Sequence, residues 1–174
     1  MGLATDLSYA ITPSNADQRA IRVVASSRPG AWALARVLPT LDRAVTRASR
    51  GRTTLVEQLA GLPVLVLTTT GRRSGLARPA QLIAIPVGDD LALIGTNFGQ
   101  TRTPTWVLNL EADPRATVSH RDVTVDVVAR PAGDEERSEI LVLAGRVYPG
   151  YPKYFDRVSD RQVRVFVLEK PSRD

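Results

Sequence analysis

The feature that most constrains this chain is a change of period near residue 63. Before it, apolar residues recur at helical spacing. After it, they come in short β-branched runs separated by turn residues. A short helix is expected from Asp17 to Ser27, ended by Pro29-Gly30. From Ala31 to Ser49, Trp32, Leu34, Val37, Leu38, Leu41 and Val45 form one apolar stripe. Arg36, Arg43, Arg47 and Arg50 lie mostly opposite, and Pro39 fits the first position of a renewed helix. Such a helix packs its stripe on the domain and solvates its arginines. The functional alternative is peripheral contact with an anionic membrane surface. Residues 1–16 read as a polar, poorly ordered tail. The expected division is therefore an N-terminal tail with basic helices over 1–60 and one folding unit over 61–174.

Six strands are expected in the second part. Pro63 to Thr69 and Arg78 to Val87 form a hairpin around a seven-residue loop, Thr70 to Leu76, that carries two glycines. Gly88-Asp89-Asp90 is a tight turn into Leu91 to Gly95. Ala116 to His120 and Val123 to Val128 pair around Arg121-Asp122, and Gln162 to Glu169 closes the series. Two helices interrupt the strands. One starts at Thr103-Pro104, with Thr as cap and Pro as first helical residue, and runs to about Glu111. The other spans Asp134 to Arg146, with acids in its first turn. Hairpins with few crossovers point to a small antiparallel barrel with helices at its ends, not a parallel sheet.

Composition narrows the chemistry. The chain of 174 residues has no Cys and one His. That excludes a disulfide framework, a thiolate nucleophile, a Cys-bound zinc and an iron–sulfur cluster. His120 falls in a hairpin turn and reads as a surface residue. No apolar run is long enough to span a membrane and no secretory leader is visible, so the expected location is cytoplasmic. The net charge is +5, and 21 of the 23 basic residues are Arg. Anionic small molecules suit that balance. Nucleic acid does not, because no recognition motif or interleaving of aromatics with arginines is present.

Three segments carry candidate chemistry. In Thr68-Thr-Thr-Gly-Arg-Arg-Ser-Gly75 with Arg78, three arginines fall within seven residues beside glycines and hydroxyls. Backbone N–H groups, hydroxyls and forked guanidinium donors suit a phosphate or carboxylate. The spacing is not that of a Walker loop or a dinucleotide fingerprint. In Pro104-Thr-Trp-Val-Leu-Asn-Leu110, Trp106 and Asn109 lie on neighbouring faces of one helix. They suit the flank of a planar ligand, or equally a core Trp with a capping Asn. In Tyr148-Pro-Gly-Tyr151-Pro-Lys-Tyr154, three of the four tyrosines recur at every third residue. They offer flat walls with hydroxyl tips, or simply close the barrel end.

Taken in order, LTTTGRRSG-x-x-R, Gly95-Thr-Asn97, PTWxxNLxxxP, DEER and YPxYxxY resemble the deazaflavin-dependent nitroreductase family over about Gly61 to Pro171. The resemblance implies a mainly β protein with peripheral helices, a six-stranded split β-barrel related to FMN-binding barrels. It implies coenzyme F-420, a deazaflavin with a phosphodiester and an oligoglutamate tail, with FMN as the second choice. Carried over by position, Arg72, Arg73 and Ser74 would bind the phosphate and tail. Arg78, Pro79, Ala80, Gln81, Leu82 and Ile83 would line the channel. Ile94, Gly95, Thr96 and Asn97 would approach the ring, with Thr105, Trp106, Val107, Leu108 and Asn109 as a further wall. Tyr151 would face the substrate, with Tyr148 and Tyr154 lining its pocket, and Tyr151 or Thr96 would serve a developing anion.

Two departures bear on substrate. Arg73 stands where the family commonly has Lys, which changes a point charge into a fork. Thr96-Asn97 stands where nitroimidazole-active members can have Ser then Lys. The expected activity is hydride transfer from the reduced deazaflavin to a quinone, enone or nitro compound. The alternative from another class is a barrel that carries the cofactor, or another hydrophobic anion, without turnover.

Overall fold

The computed structural model describes residues 2–11, 15, 17–18, 21, 27, 61–158 and 162–171. Of the helix expected over 17–27 only residues 17, 18, 21 and 27 are described, and the helix expected over 31–49, with the proposed membrane-facing arginine stripe, lies outside the described residues. The elements in chain order are α1 (Leu3–Asp6), β1 (Leu65–Thr70), β2 (Ala77–Leu82), β3 (Ile85–Val87), β4 (Asp90–Ile94), α2 (Thr105–Ala112), β5 (Arg115–His120), β6 (Val123–Pro131), α3 (Asp134–Val147), α4 (Gly150–Arg157) and β7 (Val165–Glu169). A 3₁₀ turn, Asn97–Gly99, follows β4.

The strands make one antiparallel sheet in the order β2-β1-β5-β6-β7-β4-β3. Its two edge strands, β2 and β3, are consecutive in sequence, with only Ile83-Ala84 between them. So short a link reaches about 10 Å. The edges must therefore come together, and the sheet curls into a split barrel. Sequence reading took Arg78 to Val87 as one strand. The structure divides it, because β2 pairs β1 while β3 pairs β4. The seventh strand arises from that division.

The central strands are buried on both faces, which is why they read as continuous apolar runs. In β4, Leu91 and Leu93 enter one apolar cluster while Ala92 and Ile94 enter another. In β7, Phe166 and Leu168 join the first cluster, and Val165 and Val167 the second. Helix α2 packs on the first face through Trp106, Val107 and Leu110. Helices α3 and α4 cover the second through Ile140, Ala144 and the three tyrosines. Helix α2 starts later than its sequence suggests. Pro104 is its N-cap, with an extended ψ of 144°, and no side chain caps it.

Two sequence expectations are corrected by the N-terminal segment. Residues 1–16 were expected to form a loose polar tail, but Leu3, Leu7 and Tyr9 are buried in the first cluster. The Tyr9 hydroxyl accepts the Ala84 N–H (2.9 Å) and donates to the Pro63 carbonyl (2.9 Å). It thereby satisfies the backbone at the Ile83-Ala84 link, where β2 ends and β3 begins. Lys170 pairs with Asp6 across the same segment. His120 is not a surface residue; it is buried against the Tyr9 ring, at 5.1 Å between centroids. Its Nδ1 lies 2.9 Å from the Leu7 carbonyl, which can only accept, so Nδ1 carries the proton. Nε2 has no partner among the described residues. A hairpin position looked exposed in sequence only because the segment that covers it lies more than a hundred residues away.

Candidate active site

The β1–β2 hairpin holds the arginines. Gly71 N–H donates to the Leu76 carbonyl (2.8 Å), and Ser74 and Gly75 N–H both donate to the Gly71 carbonyl. Gly75 has φ +65°, which glycine adopts without steric cost. A Cβ at Gly71 would fall 2.7 Å from Ser74 Oγ, so this turn is closed tightly around glycine. Arg72, Arg73, Ser74, Arg78 and Pro79 are exposed. Arg78 Nη2 donates to Ser74 Oγ (3.2 Å). Among the described residues, no carboxylate pairs with Arg72, Arg73 or Arg78. Three arginines elsewhere do pair: Arg115 with Asp113, Arg130 with Glu136 and Glu169, and Arg164 with Glu111. Beyond Pro79, the edge strand turns half-buried at Ala80, Gln81 and Leu82, and Ile83 continues so.

Helix α2 links this hairpin to the end of β4. Asn109 is 1% exposed. Its Oδ1 accepts the Arg72 backbone N–H (3.1 Å), and its Nδ2 donates to Thr69 Oγ1 (2.9 Å). Thr69 Oγ1 in turn donates to the Arg78 carbonyl (3.4 Å). Two residues earlier on the helix, Val107 packs on Gly95, where an added Cβ would lie 2.8 Å from Val107 Cγ2. The glycine thus lets α2 approach β4 closely. Trp106 lies in the core, edge-on to Phe166 with centroids 6.2 Å apart, and Val107 is fully buried beside it. The exposed residues of α2 are Thr105 at its start and Glu111 and Ala112 at its end, with Leu108 half-buried.

Past Gly95 the chain turns sharply. Thr96 is buried, and Asn97, Phe98 and Gly99 follow with φ of 50°, 56° and 76°. Consecutive non-glycine residues in that region store backbone strain, a feature that clusters at ligand sites. The Asn97 Nδ2 donates to the Arg102 carbonyl (2.9 Å), which holds the turn.

The tyrosines pack against this turn. Ile94 shares their apolar cluster, and Phe98 meets Tyr154 edge-on at 6.4 Å. Tyr148, Tyr151 and Tyr154 touch one another, with ring centroids 5.8–6.5 Å apart. The Tyr148 and Tyr154 hydroxyls are 3.1 Å apart. A Cβ on Gly150 would strike the Tyr148 ring, so glycine is needed where the ring crosses the start of α4. Burial raises all three phenols above the ordinary tyrosine value, because it disfavours the phenolate. They remain protonated donors. In the sequence Thr69 stands out only as one hydroxyl of the arginine loop, and neither Phe98 nor Arg157 is marked. The last lies over the Tyr154 ring at 5.6 Å, and its spacing three residues on in the helix was the available signal.

No group of metal-ligating residues occurs among the described residues, and no helix there is long and apolar enough to cross a membrane.

A split barrel with an open cationic hairpin and a buried cluster of tyrosine hydroxyls is a frame that can hold an anionic ligand. The chain belongs to the F-420H(2)-dependent quinone reductase family, whose sequence model matches residues 41–170. It is 29% identical over 92 residues to an F-420H(2)-dependent quinone reductase of Mycobacterium tuberculosis, covering 52% of this chain and 60% of that protein. The same match is found for a putative quinone reductase of that kind from Mycobacterium bovis. The chain thus spans less than two thirds of the curated relatives it matches. Among solved structures, an F-420-H2 dependent reductase is 32% identical, with a TM-score of 0.56 over 62% of this chain and 94% of that one. A chain described as a domain-swapped dimer is 29% identical, with a TM-score of 0.58 over 81% of this chain and 99% of that one.

Proposed function

We propose that this protein reduces an electron-poor acceptor, a quinone foremost and an enone or nitro compound next, at the expense of reduced coenzyme F-420. The observation that carries the reading is the set of exposed guanidinium groups on Arg72, Arg73 and Arg78, which no carboxylate among the described residues neutralises. A phosphodiester followed by an oligoglutamate tail supplies the missing charge, so the residues fit the group. Ser74 adds a hydroxyl donor there, and the strand from Arg78 to Ile83 continues the same edge. Thr105, exposed at the start of α2, and the half-buried Leu108 would flank the cofactor.

The bound cofactor supplies a hydride from carbon 5 of its reduced ring. The protein's part is orientation and electrostatics. Ile94 to Asn97, leading into the strained turn, would present backbone groups and the Thr96 hydroxyl to the ring. Tyr151, kept protonated by burial, donates a hydrogen bond or a proton to the anion that develops on the acceptor. Tyr148 and Tyr154 buttress Tyr151 and exclude water from it.

The test is a fluorescence titration with coenzyme F-420 and with FMN, followed by turnover of menadione. The expected result is binding of the deazaflavin that weakens with salt, and reduction of menadione. Binding of FMN alone would overturn the cofactor assignment. Deazaflavin binding without turnover of any quinone, enone or nitro compound would replace the enzyme with a carrier.

A further inference from the structure

We propose that Asn109 is a positioning residue that clamps both ends of the arginine hairpin, and that its carboxamide acts through the loop without touching the anion. The inference rests on the reading of the hairpin as the anion site. Its evidence is the way the buried amide spends its hydrogen bonds. Oδ1 takes the backbone N–H of Arg72, on the outgoing arm (3.1 Å). Nδ2 goes to the Thr69 hydroxyl (2.9 Å), which passes its own proton to the Arg78 carbonyl on the returning arm (3.4 Å). Asn109 and Thr69 are each 1% exposed, so neither presents a polar atom to a ligand on the surface.

The chemistry explains why an amide stands there. One buried group must accept from an N–H and donate to a hydroxyl. Asn does both without charge, whereas a carboxylate only accepts and an amine only donates. The helix is an independent support for the hairpin, since α2 is itself pressed on β4 through Val107 and Gly95. Loop arginines lose much conformational freedom when they grip an anion, and a fixed backbone at Arg72 and Arg78 removes part of that cost before binding. The same clamp keeps Arg78 Nη2 in reach of Ser74 Oγ.

Three measurements on the full chain separate this role from a direct contact. Asn109→Ala should weaken F-420 binding about tenfold in fluorescence titration. Thr69→Val, which removes only a buried hydroxyl, should weaken it about threefold or more. In a background of Arg72→Ala, Arg73→Ala and Arg78→Ala, adding Asn109→Ala should change affinity by less than about twofold, because nothing is left to position. Without ligand, amide exchange of Arg72 should accelerate in Asn109→Ala while exchange in the β5–β6 hairpin stays the same.

Equal losses in both backgrounds would overturn the proposal, since they mean that Asn109 acts by direct contact or through general stability. Unchanged affinity in Asn109→Ala, or unchanged exchange at Arg72, would overturn it as well. Should Asn109→Ala fail to fold, Thr69→Val carries the test, and wild-type affinity in that variant rejects the clamp. Wild-type affinity in the triple-arginine variant would instead bring down the anion-site reading, and the ligand-binding role of the clamp with it.

Discussion

The arginine hairpin and the tyrosine cluster are built on opposite principles. The hairpin is exposed and charged, closed by its own backbone hydrogen bonds and held from beneath by one buried amide. The cluster is buried, its phenols are neutral, and it is held by ring packing and by the contact between the Tyr148 and Tyr154 hydroxyls. Guanidinium groups left open to water bind anions at little desolvation cost and with sensitivity to salt. Phenols removed from water keep their protons and place them where solvent does not compete. In the proposed function one region is suited to affinity and the other to chemistry, and the packing of α2 on Gly95 and of Phe98 on Tyr154 connects the elements that carry them.

Substitutions that separate affinity from chemistry sharpen that contrast. Tyr151→Phe should lower turnover about 10²–10³-fold, the scale of a lost oxyanion donor, with F-420 affinity nearly unchanged. Equal turnover would remove Tyr151 from the reaction. Arg72→Ala with Arg73→Ala should weaken F-420 binding about a hundredfold and flatten its dependence on salt, from the loss of charge-assisted hydrogen bonds. The loss should sit mainly in affinity. A matching loss of turnover at saturating cofactor would break the division of labour.

Gly150→Ala should cost about 2 kcal/mol of stability by denaturant melting, because the new methyl collides with the Tyr148 ring. It should also loosen the tyrosine cluster while leaving the hairpin intact. The smallest expected effect is on pH dependence. Burial raises the folded pKa of all three tyrosines, so the donor stays protonated as pH rises past the ordinary value near 10. Turnover should show no alkaline fall from phenol ionisation between about pH 7 and 10. A fall centred below that limit and abolished by Tyr151→Phe would show that the phenol is not held protonated.

A local contrast of the same kind explains what could be read in the sequence. The hairpin was legible because glycine, arginine and hydroxyl residues act there through backbone turns and charge, both of which are local properties. The strands of the sheet were legible from short β-branched apolar runs and from the turn residues between them. Trp106 and Asn109 were legible as a pair on a helix, but not in role. Which face a helix buries depends on what lies beneath it, and here that is Phe166 for one and the β1–β2 loop for the other. His120 was misread for the same reason. Its partners, Leu7 and Tyr9, come from the far end of the chain. The break at Ile83-Ala84 left no mark in composition, because a strand that changes partner keeps its β-forming residues.

The sequence by itself determined the antiparallel hairpins, the clustering of charge at Arg72, Arg73 and Arg78, and the grouping of three tyrosines in one short segment. These follow from residues close together in the chain, where periodicity, turn geometry and side-chain chemistry act directly. Only the tertiary structure decided that the sheet closes between β2 and β3, that the N-terminal segment fills the core, and that Asn109 holds the loop instead of presenting itself to solvent. Each of those depends on contacts between residues tens of positions apart. Their free energy comes from burial and from satisfying backbone polar groups in the assembled fold.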